Sequence, residues 1–177
     1  MKIITIFLLF FATNAFAAGS DPEMTKVVNA FYDAYLAVKP SGVPAGKEQR
    51  RFKPYLSASL ATLLNEAARA EEKYHRSTKG EVPPLVEGDL FTSLFEGATA
   101  FKVLSCEAGT SACLIELSYA EATGGPPTRW KDKVYLARNP SGWLINDIEY
   151  LGEWQFMHKG RLQDLLKEVV KEGNENP

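Results

Sequence analysis

Apolar and polar residues alternate through much of the stretch from Thr99 to Leu151, and this pattern predicts four antiparallel strands in two hairpins. The first hairpin joins Phe101–Glu107 to Ala112–Glu121, and the second joins Arg129–Arg138 to Trp143–Leu151. One strand shows the alternation most clearly, since every second residue is apolar or aromatic: Cys113, Ile115, Leu117 and Tyr119. Such alternation is typical of a sheet that buries one face.

The second hairpin closes through Asn139-Pro140-Ser141-Gly142, and this turn predicts the strand register. The tetrapeptide favours a type I turn with Gly142 in a left-handed bulge position, which pairs Asn139 with Trp143. Three further pairs follow by counting outward: Tyr135 with Asp147, Lys133 with Glu149, and Val134 with Ile148. A slip by one residue would place Asp132 opposite Glu149, and opposed like charges destabilise a sheet.

The charged residues of this hairpin allow two interpretations. In the first, Tyr135 donates a hydrogen bond to Asp147 and Lys133 forms an ion pair with Glu149, so that both carboxylates are structural. In the second, Asp132, Asp147 and Glu149 meet across the hairpin as a general acid–base pair. We favour the structural interpretation, because cross-strand pairing already supplies each of the last two carboxylates with a partner.

A helical period replaces the alternation before the strands. Ser20-Asp21-Pro22-Glu23 predicts the start of a first helix, with Ser20 as the cap, Pro22 in the first turn and Glu23 completing a capping box. Its apolar stripe consists of Met24, Val27, Val28, Phe31, Tyr35 and Val38. A second helix, capped by Ser57 or Ser59, has the stripe Leu60, Leu63, Leu64 and Ala67.

Two shorter apolar segments complete the predicted fold. Leu85–Gly97 is predicted to form a helical turn whose leucines and phenylalanines fill one end of the core. Arg161–Val170 is predicted to be a helix with the stripe Leu162, Leu165, Leu166 and Val169. This stripe needs an apolar surface, either the domain's own sheet or a second copy of the chain, so a homodimer through this helix is one expectation.

These elements predict an α+β fold in which N-terminal helices pack on a four-stranded antiparallel sheet and a short helix follows it. The chain has 177 residues, of which 45% are hydrophobic and 24% charged. This length and composition suit one folded domain with its own core, which we place at residues 18–171. Residues 172–177 are expected to form a flexible tail.

Residues 1–17 are typical of a secretory signal peptide. Lys2 precedes the apolar run Ile3–Ala12, and Ala15 and Ala17 supply the small residues that signal peptidase requires. The run is shorter than the about 20 residues that span a bilayer, and an uncleaved anchor is the alternative. We expect cleavage near Ala17 and a periplasmic or secreted protein of the Gram-negative bacterial type, with no membrane anchor after cleavage.

The two cysteines, Cys106 and Cys113, lie on either side of the turn in the first hairpin. An even number of cysteines in an exported protein favours a disulfide. A redox pair would favour the C-x-x-C spacing, and a metal site would need further ligands nearby; the segment has neither. We therefore expect a structural disulfide that contributes roughly 2–3 kcal/mol to stability.

Charge and residue types narrow the range of functions. The net charge is −2, and removal of Lys2 with the signal peptide makes it one unit more negative. Such mild acidity argues against nucleic acid or anionic lipid as a partner. The chain has only two histidines, His75 and His158, and lacks the H-E-x-x-H and G-x-S-x-G motifs. We expect no metal, no cofactor and no enzymatic activity.

Four short motifs connect the chain with a known family. In order, they are Phe31-Tyr32-x-x-Tyr35-Leu36, Tyr55-Leu56-Ser57-x-x-Leu60, Trp130-x-Asp132-x-Val134 and Trp143-x-Ile145-x-Asp147-Ile148-x-Tyr150. In these motifs the chain resembles an exported bacterial family of unknown function that is grouped with the nuclear transport factor 2-like fold. The resemblance implies helices packed into the concave face of a curved antiparallel sheet, and it implies no catalytic residue.

Two functions fit these features, and the first is a binding protein. It would hold a small apolar ligand or a protein segment in the mouth of the cone-shaped domain. The pocket candidates combine an apolar wall with a polar tip: Tyr35, Trp130, Asp147 and Tyr150. Asp147 and Tyr150 point to opposite faces of a regular strand, so both could face the pocket only if a bulge lay near Ile148. Without one, we expect Asp147 to lie outside.

The second function is that of a periplasmic immunity or inhibitor protein, which would neutralise a toxin enzyme by covering its surface. Such an inhibitor should present an exposed acidic or aromatic protrusion, whereas a ligand binder should have a cavity. The partner is accordingly expected to be either a small ligand or a periplasmic protein.

Overall fold

The structure, a computed structural model, describes residues 20–80, 85–154 and 158–175. Its helices are α1 (Pro22–Val38), α2 (Gly46–Phe52), α3 (Ala58–Ser77) and α4 (Leu162–Glu175), with a 3₁₀ turn at Lys53–Tyr55. Its strands are β1 (Ala100–Glu107), β2 (Ala112–Tyr119), β3 (Thr128–Asn139), β4 (Gly142–Tyr150) and β5 (Gly160–Arg161). The predicted signal peptide at residues 1–17 lies outside the described residues.

The strands form one antiparallel sheet in the order β1-β2-β3-β4-β5. The α+β class and the two predicted hairpins are therefore confirmed. The prediction of four strands is wrong, because β5 adds a fifth strand along β4. With only two residues, β5 is too short to show an alternating pattern in the sequence.

The predicted register of the second hairpin is confirmed away from the turn, and the predicted pairing next to the turn is wrong. Tyr135 pairs with Asp147 as predicted, but Asn139 pairs with Gly142 rather than with Trp143. The Asn139 side chain accepts a hydrogen bond from the Ser141 N–H at 2.8 Å, which closes a shorter loop than expected. A bulge at Asn146 then restores the predicted pairing.

At the bulge, β4 is bonded to the chain that follows the 3₁₀ turn. Leu56 bridges to Ile145, and the Ser57 N–H donates to the Ile145 carbonyl at 2.7 Å. The Ser57 hydroxyl also donates to the Asn146 side chain at 2.8 Å, while its oxygen accepts from the Leu60 N–H. Ser57 is thus the cap of α3, and it fixes the helix to the irregular point of β4.

The cross-strand partners on one face of the hairpin differ from those predicted. The Tyr135 hydroxyl donates to Glu149 at 2.7 Å instead of to Asp147. Arg161 lies 4.1 Å from the centre of the Tyr135 ring and forms ion pairs with Asp147 at 3.6 Å and Glu149 at 4.0 Å. The prediction failed because β5, which carries Arg161, was not foreseen; Lys133 lies over the Tyr135 ring instead.

The first helix begins as expected, but with a different cap. Asp21, not Ser20, accepts hydrogen bonds from the N–H groups of Glu23 at 2.9 Å and Met24 at 3.0 Å. The Ser20 hydroxyl is engaged elsewhere, because it accepts from the Cys106 N–H at 2.9 Å. This contact ties the start of α1 to the edge strand β1.

The core lies between α1 and the face of the sheet opposite to the one that carries Tyr135, Asp147 and Glu149. Inward-facing residues alternate along β2, β3 and β4 and are buried with the predicted stripe of α1, including Phe31 and Tyr35. The sheet contributes Cys113, Ile115, Leu117, Trp130, Asp132, Val134, Leu136, Ile148 and Tyr150. Cys106 and Cys113 pair across the first hairpin and form the predicted disulfide, which is confirmed.

The apolar stripe of α4 packs against α3 of the same chain. Leu162, Leu166 and Val169 are buried there, and a side chain at Gly173 would lie only 2.8 Å from the Ala70 Cβ. Burial of the stripe therefore needs no second copy, and the homodimer stays a prediction. The helix continues to Glu175, beyond residue 172, where a flexible tail was expected to begin.

Residues 85–99, which we call the plug segment, have no regular helix or strand up to β1. Leu90 and Phe91 are fully buried, so the segment fills the core as predicted. The predicted helical turn is wrong, because side chains from other elements satisfy its backbone groups. Within the described residues, no helix is long and apolar enough to cross a membrane.

Candidate functional site

The four predicted pocket residues do not share one cavity. Tyr35 lines a surface cleft, whereas Trp130 and Tyr150 are buried on the inner face of the sheet. Asp147 points to the other face, where its carboxylate accepts from the N–H of Gln163 at 3.0 Å and so caps the first turn of α4. Burial raises the pKa of Asp147, while the hydrogen bond from the Gln163 N–H lowers it.

The cleft lies between the loop after α1, the C-terminal half of α3 and the plug segment. Its volume is about 720 Å³, which is within the range of small-molecule sites. Tyr119, at the end of β2, contributes to one side. Two irregular segments therefore meet the end of α3 here, at one end of the sheet.

Hydrogen bonds hold the walls of the cleft together. The Gly42 N–H donates to the Gly88 carbonyl at 2.7 Å, joining the loop after α1 to the plug segment. The Glu71 carboxylate accepts from the Val86 N–H at 3.0 Å, joining α3 to the same segment. Burial raises the pKa of Glu71. These two hydrogen bonds thus join the loop after α1 and α3 to the plug segment.

A buried tyrosine–aspartate pair lies at the floor of the cleft. The Tyr35 hydroxyl accepts from the Ala98 N–H at 2.7 Å and donates to the Asp89 carboxylate. Asp89 is only 4% exposed, and burial raises its pKa to about 7. Burial likewise raises the pKa of Tyr35, which stays protonated. At neutral pH the floor therefore holds a carboxyl group that is partly protonated.

Gly97 is required beside this pair. Its φ of +78° is in the left-handed region, and a Cβ there would lie 2.6 Å from the Tyr35 hydroxyl oxygen and 3.0 Å from Asp89 Oδ2. The close approach of the backbone lets Ala98 reach Tyr35.

The plug segment is held from three other directions. Tyr32 on α1 donates to the Phe91 carbonyl at 3.0 Å, and Tyr150 on β4 donates to the Leu90 carbonyl at 2.7 Å. His158 forms a hydrogen bond with the Asp89 carbonyl at 2.8 Å, and burial lowers its pKa. Of the predicted pocket residues, Tyr150 thus holds the plug segment directly and Trp130 does so through Asp132, so both support the cleft from the side of the sheet.

Asp132 provides the fourth anchor. Its fully buried carboxylate accepts from the Ser93 N–H at 2.8 Å, the Ser93 hydroxyl, the Trp130 indole N–H at 3.1 Å and the Leu151 N–H at 2.9 Å. Burial raises its pKa despite these four donors. With its oxygens satisfied inside the core and on the opposite face of the sheet from Asp147 and Glu149, Asp132 does not form the acid–base pair considered above.

The rim of the cleft is acidic and aromatic. Phe95 is 46% exposed and packs over Gly88, and Glu87 and Glu96 beside it are exposed. Lys39 and His75 also line the cleft. Within the described residues, no group of three or more histidine, cysteine, aspartate or glutamate side chains could hold a metal ion.

Asp89, Glu71 and Phe95 were not among the residues predicted for the site. A signal was present for the first, because an aspartate inside the apolar run from Leu85 to Phe95 breaks the helical stripe. Its carboxylate accepts from the Phe91 N–H at 2.8 Å, which is an Asx turn. No signal marked the contacts of Asp89 with Tyr35, because these residues are far apart in the sequence.

Comparison with models of known protein families finds none that matches this chain, and comparison with curated proteins likewise finds no match.

Proposed function

We propose that this chain is an exported, non-catalytic binding protein that holds a small ligand in the cleft above Tyr35 and Asp89. The observation that carries the proposal is the preformed cleft of about 720 Å³ with hydrogen-bonded walls. Ligand sites are typically concave and largely preformed. Tyr35 remains the predicted residue at this site, with Trp130 and Tyr150 behind it.

Binding rather than catalysis is favoured by how Asp89 is engaged. Its carboxylate accepts from the Phe91 N–H, the Tyr35 hydroxyl and Thr92. A general base needs a free lone pair within reach of the substrate proton. These contacts instead direct the oxygens of Asp89 to its own chain.

The proposal includes a nuclear transport factor 2-like cone and a periplasmic location. A helix-covered antiparallel sheet and the order of the four motifs support the first. The disulfide between Cys106 and Cys113 supports an oxidising compartment. Cell fractionation tests the location: the protein should be recovered with periplasmic markers, and recovery with cytoplasmic markers would contradict the proposal.

Two matched variants test the binding site. Phe95→Ala removes an exposed ring from the cleft rim, whereas Leu104→Ala removes an exposed apolar side chain of β1 that lies outside the cleft. Small molecules that raise the melting temperature of the wild type should be found by a thermal-shift screen and confirmed by native mass spectrometry. Phe95→Ala should weaken their binding and Leu104→Ala should not. Equal effects of both variants would exclude the cleft as the site.

A second candidate function, that of an immunity or inhibitor protein, is favoured by the exposed Phe95 next to Glu96 on a firmly anchored segment. Aromatic residues on rigid supports are frequent anchors of protein interfaces. Co-expression with a toxin enzyme encoded beside this gene would test it. Protection of the cells that Phe95→Ala abolishes and Leu104→Ala preserves would favour this function over ligand binding.

A further inference from the structure

The cleft carries more negative charge than the residues around it neutralise. Four carboxyl groups line it, those of Glu71, Glu87, Asp89 and Glu96. None of them forms an ion pair among the described residues. Lys39 is the permanent cation among the lining residues. A concave site lined mainly by one sign of charge concentrates the electrostatic potential.

Aromatic rings stand beside these carboxylates. Phe95 is at the rim, Tyr119 at the side and Tyr35 at the floor. Aromatic faces attract organic cations, and the attraction is larger where water is partly excluded. Glu71 lies on α3 and the other three carboxyl groups lie on the plug segment, and among the described residues no cluster is suited to a metal ion. The combination favours an organic cation over a metal ion or an anion.

We propose that the ligand of this cleft is a small organic cation, an ammonium group carried on an apolar or aromatic body. The proposal rests on the ligand-binding function argued above. The ammonium group would lie between the carboxylates of Glu87 and Glu96, and the apolar body would contact Phe95 and Tyr35. Asp89 stays hydrogen-bonded to Tyr35 and shapes the floor.

Three probes of similar size separate the contribution of charge from that of shape. They are 2-phenylethylamine, which is cationic at neutral pH, 2-phenylethanol, which is neutral, and phenylacetate, which is anionic. In titrations followed by calorimetry or NMR, the amine should bind roughly fivefold or more tightly than the alcohol. The anion should bind most weakly. Salt raised from tens to hundreds of millimolar should weaken the binding of the amine only.

The double variant Glu87→Gln, Glu96→Gln removes two rim charges without removing their side-chain volume. Both residues are exposed, so the fold should be retained. The variant should lose about 2- to 10-fold in affinity for the amine and keep its affinity for the alcohol. Glu168→Gln on α4 is the matched control, because this exposed glutamate lies outside the cleft and should change neither affinity.

The outcomes separate this proposal from the proposed function. If the alcohol or the anion binds in the cleft as tightly as the amine, the cation proposal is wrong and ligand binding stands. If the double variant weakens the amine and the alcohol equally, charge recognition is likewise excluded. If none of the probes shows binding that Phe95→Ala weakens, the cation proposal is overturned, and the thermal-shift screen with Phe95→Ala and Leu104→Ala decides ligand binding separately.

Discussion

Replacement of Asp89 by asparagine is the sharpest test of the site as described. The carboxyl group is almost fully buried, and burial raises its pKa from the ordinary 3.8 to about 7. Asparagine has nearly the same size and cannot ionise. Its amide oxygen can still accept from the Phe91 N–H, and its amide nitrogen can donate to the Tyr35 hydroxyl oxygen. The substitution therefore removes the titration while keeping the hydrogen-bonded floor.

The sign of the effect follows from linkage between protonation and folding. Because the folded pKa is raised, the folded state holds the proton more tightly than the unfolded chain does. The stabilisation is fully present below about pH 4 and is lost as the pH rises through about 7. From about pH 5 to about pH 8, the loss amounts to roughly 2–3 kcal/mol for a shift of this size. Near-complete burial leaves little solvent screening to reduce it.

The measurement is the free energy of unfolding in urea at several pH values for wild type and Asp89→Asn. Glu71, Asp132 and Asp147, whose pKa values are raised, and His158, whose pKa is lowered, also titrate. They are present in both proteins and cancel in the difference. The stability of the variant relative to wild type should rise by roughly 2–3 kcal/mol from about pH 5 to about pH 8.

Asp33→Asn is the control for this experiment. Asp33 is an exposed residue of α1 outside the cleft, so its variant controls for the loss of a carboxylate that takes no part in the floor of the cleft. If the difference between Asp89→Asn and wild type stays constant across this range, Asp89 titrates in the folded protein as it does in the unfolded chain. The assignment of a buried Tyr35–Asp89 pair would then be wrong.

Three further predictions concern the rest of the chain. Replacing Cys106 and Cys113 by serine should lower the free energy of unfolding by about 2–3 kcal/mol without preventing folding, as measured in urea; an unchanged stability would contradict a structural disulfide. Gly173→Ala should lower the free energy of unfolding in urea by about 1–2 kcal/mol despite the better helix propensity of alanine, because its Cβ would lie 2.8 Å from both the Cβ and the backbone carbonyl oxygen of Ala70; no loss of stability would refute this packing of α3 on α4. Intact-mass analysis of protein from the periplasm should show Ala18 as the first residue, and a mass that includes the apolar run would refute cleavage after Ala17.

The hairpins and most of the register could be predicted because their determinants are local. Alternation along a strand identifies its buried face, and like charges exclude the slipped register. The error at Gly142 arose because a bulge at Asn146 compensates for the shorter loop. At that bulge, Asn146 is hydrogen-bonded to Ser57, which is 89 residues away in sequence. Pattern analysis within one hairpin contains no information about such a contact.

The cleft could be predicted only through Tyr35. Its spacing in α1 equally favours a core position, and the residue in fact has both roles. Its ring is buried in the core, and its hydroxyl is bonded to Ala98 and Asp89 at the floor of the cleft. Trp130 and Tyr150 have the predicted combination of an apolar body and a polar tip, but the polar group of each already donates a hydrogen bond to a buried acceptor. Trp130 donates to Asp132 and Tyr150 to the Leu90 carbonyl.

The plug segment itself connects the fold with the proposed function. A helical turn would have satisfied its backbone internally and filled the core with Leu90 and Phe91 alone. The chain instead buries two carboxyl groups, Asp89 within the segment and Asp132 beside it. Burial of a carboxyl group costs free energy unless the group is hydrogen-bonded. Asp132 connects the segment to β3 and Asp89 connects it to α1 through Tyr35. The result is an irregular segment with a fixed shape, which presents Phe95 and its flanking acidic residues over a preformed cleft. A buried irregular segment needs such partners for its backbone groups, and in the proposed function the same anchors also hold Phe95 in place at the rim.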